Sequence, residues 1–286
     1  MRSRLSLPRI RSFYGVDFSG AKEAGRNIWV ARAGRSQGRL KLLELNSLER
    51  LAGTAAREPA LAHLVDLIRQ SVGSLWAMDF PFGLPIEVMD GAPAWRDQLA
   101  WVRDWPDEAY ALGVECVRRS KLLGDRMHIR RRTDTLAKAP FDCYHYRIIY
   151  QTFHGMRDVL LPLSTARGVA VLPFHYRKLS RARAVVMECC PSSVLKRLAL
   201  PHQNYKQPTG GPLVLKRRRT RHAIVAGLRR FIDIDPRDLR TMMRNPGGDA
   251  IDAVIAAVGG YAGWTTADHL AIARDDRFPV EGYLYC

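Results

Sequence analysis

Cysteine is scarce in this sequence and follows none of the familiar spacings. Only five cysteines occur, no C-x-x-C pair is present, and two of the five are adjacent: Cys116, Cys143, Cys189, Cys190 and Cys286. An odd number without paired spacing argues against both a disulfide framework and a zinc knuckle. We therefore expect a protein of a reducing compartment, the cytoplasm.

Long apolar runs and common cofactor motifs are also missing. No uncharged apolar stretch reaches the roughly 18 residues that a membrane span needs. Residues 1–13 are basic but have no apolar core, unlike a secretory signal. The chain has no phosphate-binding G-x-x-x-x-G-K-[ST] loop, no convincing G-x-G-x-x-G and no G-x-S-x-G, and its histidines are scattered. The sequence therefore predicts no membrane insertion, no haem, no nucleotide cofactor and no serine nucleophile.

Acidic residues are few compared with basic ones. The chain has 28 Asp and Glu against 45 Lys and Arg, a formal net charge of +17 and a pI near 10.2. Such a surplus favours a polyanionic partner such as nucleic acid or an acidic membrane surface. An arginine-rich genome produces the same excess without any such partner, and composition leaves both explanations open.

The first third of the chain has the pattern of a mixed sheet. Strands are predicted at residues 12–17, 27–33 and 39–45, where apolar stretches end at turn signals. Short turns between them favour an antiparallel meander. A helix follows at residues 61–68, with apolar residues at helical spacing, and then a strand at residues 75–79. This order is typical of the α/β class.

The rest of the chain is mainly helical in pattern. Tryptophans and basic residues in residues 93–183 predict a helical insertion. Residues 184–188 form another apolar run that predicts a strand, and residues 213–231 predict a long basic amphipathic helix. Residues 249–258 are small and branched apolar residues, which predicts a buried helix. We expect residues 265–286 to be a docked C-terminal tail.

Carboxylates follow several of these apolar stretches. Asp17, Asp79 and Glu188 each end a predicted strand, and Asp249 and Asp252 lie on one face of the first turns of the last apolar helix. Any one of them alone is readily explained as a helix cap or a turn former. If the strand ends adjoin, however, the carboxylates repel one another unless they are protonated or neutralised. Mg²⁺ and Mn²⁺ prefer such oxygen ligands.

Four short motifs in this order resemble a known family. They are GVDFSG from Gly15, AMDFPFGLP from Ala77, ECCPS from Glu188 and GDAIDA from Gly248. Together with the order of elements they resemble the ribonuclease H-like superfamily, its Holliday-junction-resolvase branch, and more closely the DUF429 family of predicted nucleases. The resemblance implies one domain over residues 12–264. Its core would be a mixed five-stranded sheet flanked by helices, interrupted by the insertion at residues 93–183.

The resemblance also implies roles for the acids in divalent-metal-dependent phosphodiester hydrolysis. Asp17 would bridge two metal ions, Glu188 and Asp252 would each complete the ligand set of one ion, Asp79 would be a ligand or orient one, and Asp249 would assist or cap the helix. We expect Mg²⁺ or Mn²⁺ as cofactor and nucleic acid as partner. Expected phosphate-contacting residues are Ser19, Lys22, Arg132, Asp134, Arg217 and Arg218.

One departure from the superfamily and two alternatives remain. The ribonuclease H type has a Glu on the first helix, whereas residues 61–68 offer only Asp66, opposite the apolar face. The resolvase-like arrangement therefore fits better. An actin-like phosphotransferase has a core of the same topology but needs two such domains. A non-catalytic nucleic-acid-binding protein would keep the fold without the chemistry. The substrate, the number of metal ions and the oligomeric state stay open.

Overall fold

A mixed seven-stranded sheet runs through the part of the chain that the structure, a computed structural model, describes: residues 6–89 and 94–286. Its strands are β1 (Ser12–Asp17), β2 (Trp29–Ser36), β3 (Arg39–Ser47), β4 (Ser74–Met78), β5 (Val169–Val171), β6 (Ala184–Glu188) and β7 (Ile232–Asp233). The α/β class is confirmed. The predicted five strands are not, because β5 and β7 add one short strand at each edge. Strands of three and two residues are too short to leave a pattern in the sequence.

The strand order is β5-β6-β4-β1-β2-β3-β7. β1, β2 and β3 form the predicted antiparallel meander, whereas β4 is parallel to β1, β6 is parallel to β4, and β5 is parallel to β6. β7 is parallel to β3. Parallel neighbours end at the same edge of a sheet. The carboxyl ends of β1, β4 and β6 therefore lie side by side.

Helices cover both faces of the sheet. They are α1 (Ala24–Asn27), α2 (Leu48–Ala52), α3 (Arg57–Gln70), α4 (Trp95–Arg103), α5 (Ala109–Leu122), α6 (Arg132–Leu136), α7 (Ile149–His154), α8 (Leu161–Ser164), α9 (Pro191–Arg197), α10 (Leu215–Leu228), α11 (Pro236–Arg244), α12 (Asp249–Thr266), α13 (His269–Arg274) and α14 (Phe278–Glu281). Short 3₁₀ turns lie at Ile86–Val88 and Tyr176–Arg181, and a π-helical segment, Gly155–Leu160, joins α7 to α8.

The side chains of the central strands alternate between two hydrophobic cores. In β4, Trp76 and Met78 face the core that contains α3, while Leu75 and Ala77 face the core that contains α10 and α12. All five residues of β4 and all five of β6 are buried. Strands buried on both faces are expected where helices cover a parallel region of a sheet. The molecule is thus a three-layer α/β arrangement.

The predicted insertion is mixed rather than purely helical. Residue 93, where it was predicted to begin, lies outside the described residues. From Trp95 onward it contains α4 to α8, but also β5 and the 3₁₀ turn that follows it. Apolar residues of α4, α5 and α7 pack in the same core as α3. This region therefore completes one face of the sheet and adds an edge strand to it.

Helix α12 lies directly against β1 and β4. A Cβ atom at Gly15 of β1 would lie 2.0 Å from the carbonyl oxygen of Ala253, and one at Gly260 would lie 2.5 Å from the Cβ of Ala77. Only glycine permits this separation, since it has no side chain. The small residues of α12 thus bring its first turn next to the end of β1.

The C-terminal residues lie across the end of β6. The backbone N–H of Tyr285 donates to the carbonyl oxygen of Glu188 at 2.9 Å, and that of Leu284 donates to Thr133 Oγ1 at 2.8 Å. Tyr285 is buried. The tail therefore closes the sheet edge beside the carboxyl end of β6.

Candidate metal centre

Three aspartates meet at the carboxyl edge of the sheet. Asp17 is the last residue of β1, and Asp79 directly follows β4, where its backbone N–H donates to Val16 at 3.0 Å. Asp252 comes from the first turn of α12, which packs against β1. One carboxylate oxygen from each aspartate lies within 4.8 Å of the other two. We call Asp17, Asp79 and Asp252 the aspartate triad.

The triad is electrostatically unfavourable without a cation. Burial is the largest cause that raises the pKa of Asp79, to about 8, and the pKa of Asp17 well above its usual value. Lys206 opposes both shifts, whereas Asp252 adds to both through like-charge repulsion. Carboxylates that share a site must hold a proton or be neutralised by positive charge. The chemistry of these three oxygen donors suits a hard divalent cation.

Two neighbouring residues, both missed by the sequence analysis, occupy the oxygens of Asp252. Tyr205 donates its hydroxyl to Oδ1 at 2.9 Å, and the Lys206 ammonium forms an ion pair with Oδ2. Tyr205 is buried, while the Lys206 side chain is 43% exposed. Both lie in a polar loop without a motif, so their place in the site depends on tertiary structure alone.

Arg221 holds this loop in place. Its side chain is fully buried and donates to four backbone carbonyls, those of Tyr205, Met242, Asn245 and Pro246, at 2.5 to 2.9 Å. From the sequence, Arg221 is only one of the positive charges of the basic amphipathic helix predicted at residues 213–231. The structure gives it an internal role, since it joins the Tyr205 loop to the segment before α12.

Glu188 lies outside the triad, in a buried ion cluster. Arg131 donates to both of its carboxylate oxygens, at 2.5 and 2.9 Å, and to Asp134 at 2.7 Å, and Phe82 donates its N–H to Glu188 at 3.0 Å. Burial lowers the pKa of Arg131, but the two carboxylates outweigh it and raise that pKa well above its usual value. Burial raises the pKa of Glu188. The paired hydrogen bonds favour an ionised pair.

Asp249 is the first residue of α12 and also lies outside the triad. Gly248, with a φ of +90°, is the N-cap in place of the expected Asp249. Asn245 accepts hydrogen bonds from the N–H groups of Gly248 and Ala250, and it donates to Asp249 at 3.3 Å. Burial raises the pKa of Asp249. Asp249 therefore adds negative charge beside the triad.

A cavity of about 780 Å³ opens onto the triad. Glu188 and Asp249 line it as well, so all five sequence-predicted acids border one space. Its walls carry positive charge, from Arg131, Arg147, Lys206 and Arg217. A second cavity of about 700 Å³ shares Ser19, Arg147 and Gln151 with the first, so the two adjoin.

The residues predicted to contact phosphate fall in different places. Ser19, Asp134 and Arg217 line the first cavity, and Lys22 lines the second. Arg132 forms ion pairs with Asp275 and Asp276 at 3.0 and 3.1 Å and borders neither cavity. Arg218 is exposed on α10 and borders neither.

Comparison of the chain with family models, curated proteins and solved structures gives no match. Among the described residues, no helix has the length and apolar content that a membrane crossing requires. All five cysteines are free thiols. The fold and the triad thus define an α/β protein with an acidic centre at the carboxyl edge of its sheet.

Proposed function

We propose that this protein is a divalent-metal-dependent phosphodiesterase that acts on nucleic acid and has a ribonuclease H-like core. The observation that carries the proposal is the convergence of Asp17, Asp79 and Asp252 within 4.8 Å of one another. These residues come from two strands and a distant helix. The meander, the two parallel strands beside it and the closing helix support the ribonuclease H-like assignment.

The aspartate triad would hold Mg²⁺ or Mn²⁺. A bound ion of this kind lowers the pKa of water and stabilises the charge that develops during phosphodiester hydrolysis. Tyr205 fixes the orientation of Asp252 through its hydrogen bond to Oδ1. Arg221 fixes Tyr205 in turn through the carbonyl of that residue. The chain therefore holds one ligand of the ion rigidly, which is how ligand geometry is usually maintained.

Positive residues around the cavity would bind the phosphates of the substrate. Arg217 and Arg147 line its wall, and Lys22 lies in the adjoining cavity. Nucleic acid is held chiefly through its backbone charge. Because the two cavities share Ser19, Arg147 and Gln151, a strand of several nucleotides would extend from one into the other.

The test is metal-dependent cleavage by purified protein. Branched DNA, single-stranded DNA and RNA–DNA hybrid are each incubated with Mn²⁺, and Asp17→Asn is compared with Asp66→Asn, a matched change at an exposed residue of α3. We expect Asp17→Asn to lose at least about 10²-fold in rate, in line with the loss of a metal ligand or its partner. The control should keep full activity. Equal cleavage by both variants would remove the proposal.

A non-catalytic nucleic-acid-binding role is the second candidate, and one observation favours it. Lys206 already supplies a positive charge to the triad, so the centre is partly neutralised without a metal ion. Salt-sensitive DNA binding with no Mn²⁺-stimulated cleavage would support this role. The phosphotransferase alternative has less support, because the described residues contain a single three-stranded meander.

A further inference from the structure

The Lys206 ammonium lies where a cation that binds the triad would be expected. It pairs with Oδ2 of Asp252, and its positive charge acts on Asp17 and Asp79 as well. The other oxygen of Asp252 accepts the Tyr205 hydroxyl. Both oxygens of this aspartate are therefore occupied by groups of the chain itself.

Of these two groups, Lys206 is the one that can move. Its side chain is 43% exposed and borders the cavity, whereas Tyr205 is only 5% exposed. The backbone on both sides is held, since Arg221 binds the carbonyl of Tyr205 and the N–H of Gln207 donates to Pro246 at 2.9 Å. A rotation about the lysine side-chain bonds is thus enough to free Oδ2.

We propose that Lys206 is the built-in counterion of the aspartate triad and that a divalent ion binds by taking Asp252 Oδ2 from it. The inference rests on the proposed metal-dependent function and adds the residue that sets the affinity of the site. The released ammonium stays beside the cavity that Arg217 lines, where a substrate phosphate would meet it. Lys206 thereby lowers the affinity of the site for the divalent ion and raises its affinity for the substrate phosphate.

The competition has a measurable direction. Lys206→Met removes the competing charge and keeps a side chain of similar length, so Mn²⁺ should bind at least roughly tenfold more tightly than to the wild type, since like charges at this range repel strongly. The metal-free variant should melt at a lower temperature, because the triad has lost its counterion, and Mn²⁺ should restore much of that loss. Lys206→Gln serves as a second variant that keeps a polar end.

Titration calorimetry with MnCl₂ on the full chain measures the affinity directly. Lys216→Met is the matched control, because Lys216 is exposed on α10 and borders neither cavity. Its affinity should equal that of the wild type. Equal or weaker Mn²⁺ binding by both Lys206 variants would overturn the counterion role while leaving the metal centre intact. Absence of Mn²⁺ binding in the wild type and all variants would overturn the metal centre itself, and the counterion role with it.

Discussion

Replacing Glu188 with Gln separates a structural role of this residue from a ligand role. The sequence predicts Glu188 as a metal ligand, whereas the structure pairs it with Arg131 in a buried cluster. The change removes the charge but keeps an oxygen that can accept the Phe82 N–H. Arg131 keeps Asp134 and the carbonyl of Glu281 as acceptors. We therefore expect the variant to fold with its triad unchanged.

The size of the effect follows from the burial of the pair. Removing one partner of a buried ion pair costs about 3–5 kcal/mol. Because Asp134 still neutralises Arg131, the loss for Glu188→Gln should lie at the lower end, about 3 kcal/mol. In a chain of this size such a loss lowers Tm by roughly 6 °C. Mn²⁺ affinity should change by less than about threefold, since no ligand of the triad is removed.

Urea unfolding and MnCl₂ calorimetry on the same preparation give both quantities. Glu23→Gln is the matched control, because Glu23 also accepts from an arginine, Arg26, at 2.9 Å, but both side chains are exposed. Exposed pairs contribute at most about 1 kcal/mol. If Glu188→Gln kept its stability and lost Mn²⁺ binding, Glu188 would be a metal ligand, and the purely structural role as the partner of Arg131 would be wrong.

Three further variants test the site and its supports. Arg221→Met removes a donor from four backbone carbonyls, two of them in buried hydrogen bonds, and should lower the free energy of unfolding by about 3–5 kcal/mol, measured in urea; a loss below about 1 kcal/mol would contradict the anchoring role. Because the pKa of Asp79 is raised to about 8, the folded state holds a proton that the unfolded chain has released, so wild-type stability falls as pH rises from about 4 to 8. Asp79→Asn should show a shallower decline, since Asp17, whose pKa burial also raises, still contributes to it, and it should be more stable by roughly 1–2 kcal/mol at pH 8; a parallel pH profile of the two proteins would refute the assignment. Lys22→Glu should reduce the slope of log affinity for DNA against log salt by about 1, with Lys41→Glu, also exposed, as the unchanged control.

The sequence predicted the edge of the sheet better than the partners found there. Asp17 and Asp79 could be placed because an acid at the end of an apolar run marks the end of a buried strand. Asp252 could be placed because a charged residue in an apolar helix needs a compensating group. The meander could also be predicted, because its strands are long enough to show an apolar pattern in the sequence.

Residues whose roles depend on distant contacts could not be predicted. Arg131 lies 57 positions from Glu188, and Lys206 lies 46 positions from Asp252, in loops whose path no local pattern fixes. Arg221 has the same helical context as its exposed neighbours, so only the fold distinguishes it from them. Propensity and periodicity report local structure, whereas these three residues are positioned by tertiary packing.

The contact between Gly15 and α12 has a consequence for ion selectivity. At Gly15, main-chain atoms of α12 lie directly against the strand that carries Asp17, with no side chain between them. The distance between the carboxylates of Asp17 and Asp252 therefore depends on how closely the main chains of β1 and α12 approach each other at Gly15. A methyl group at residue 15 would wedge the two apart and favour ions of larger radius, so Gly15→Ala should shift preference from Mg²⁺ toward Ca²⁺ in competition titrations. An unchanged preference in a folded variant would show that the spacing is set in another way.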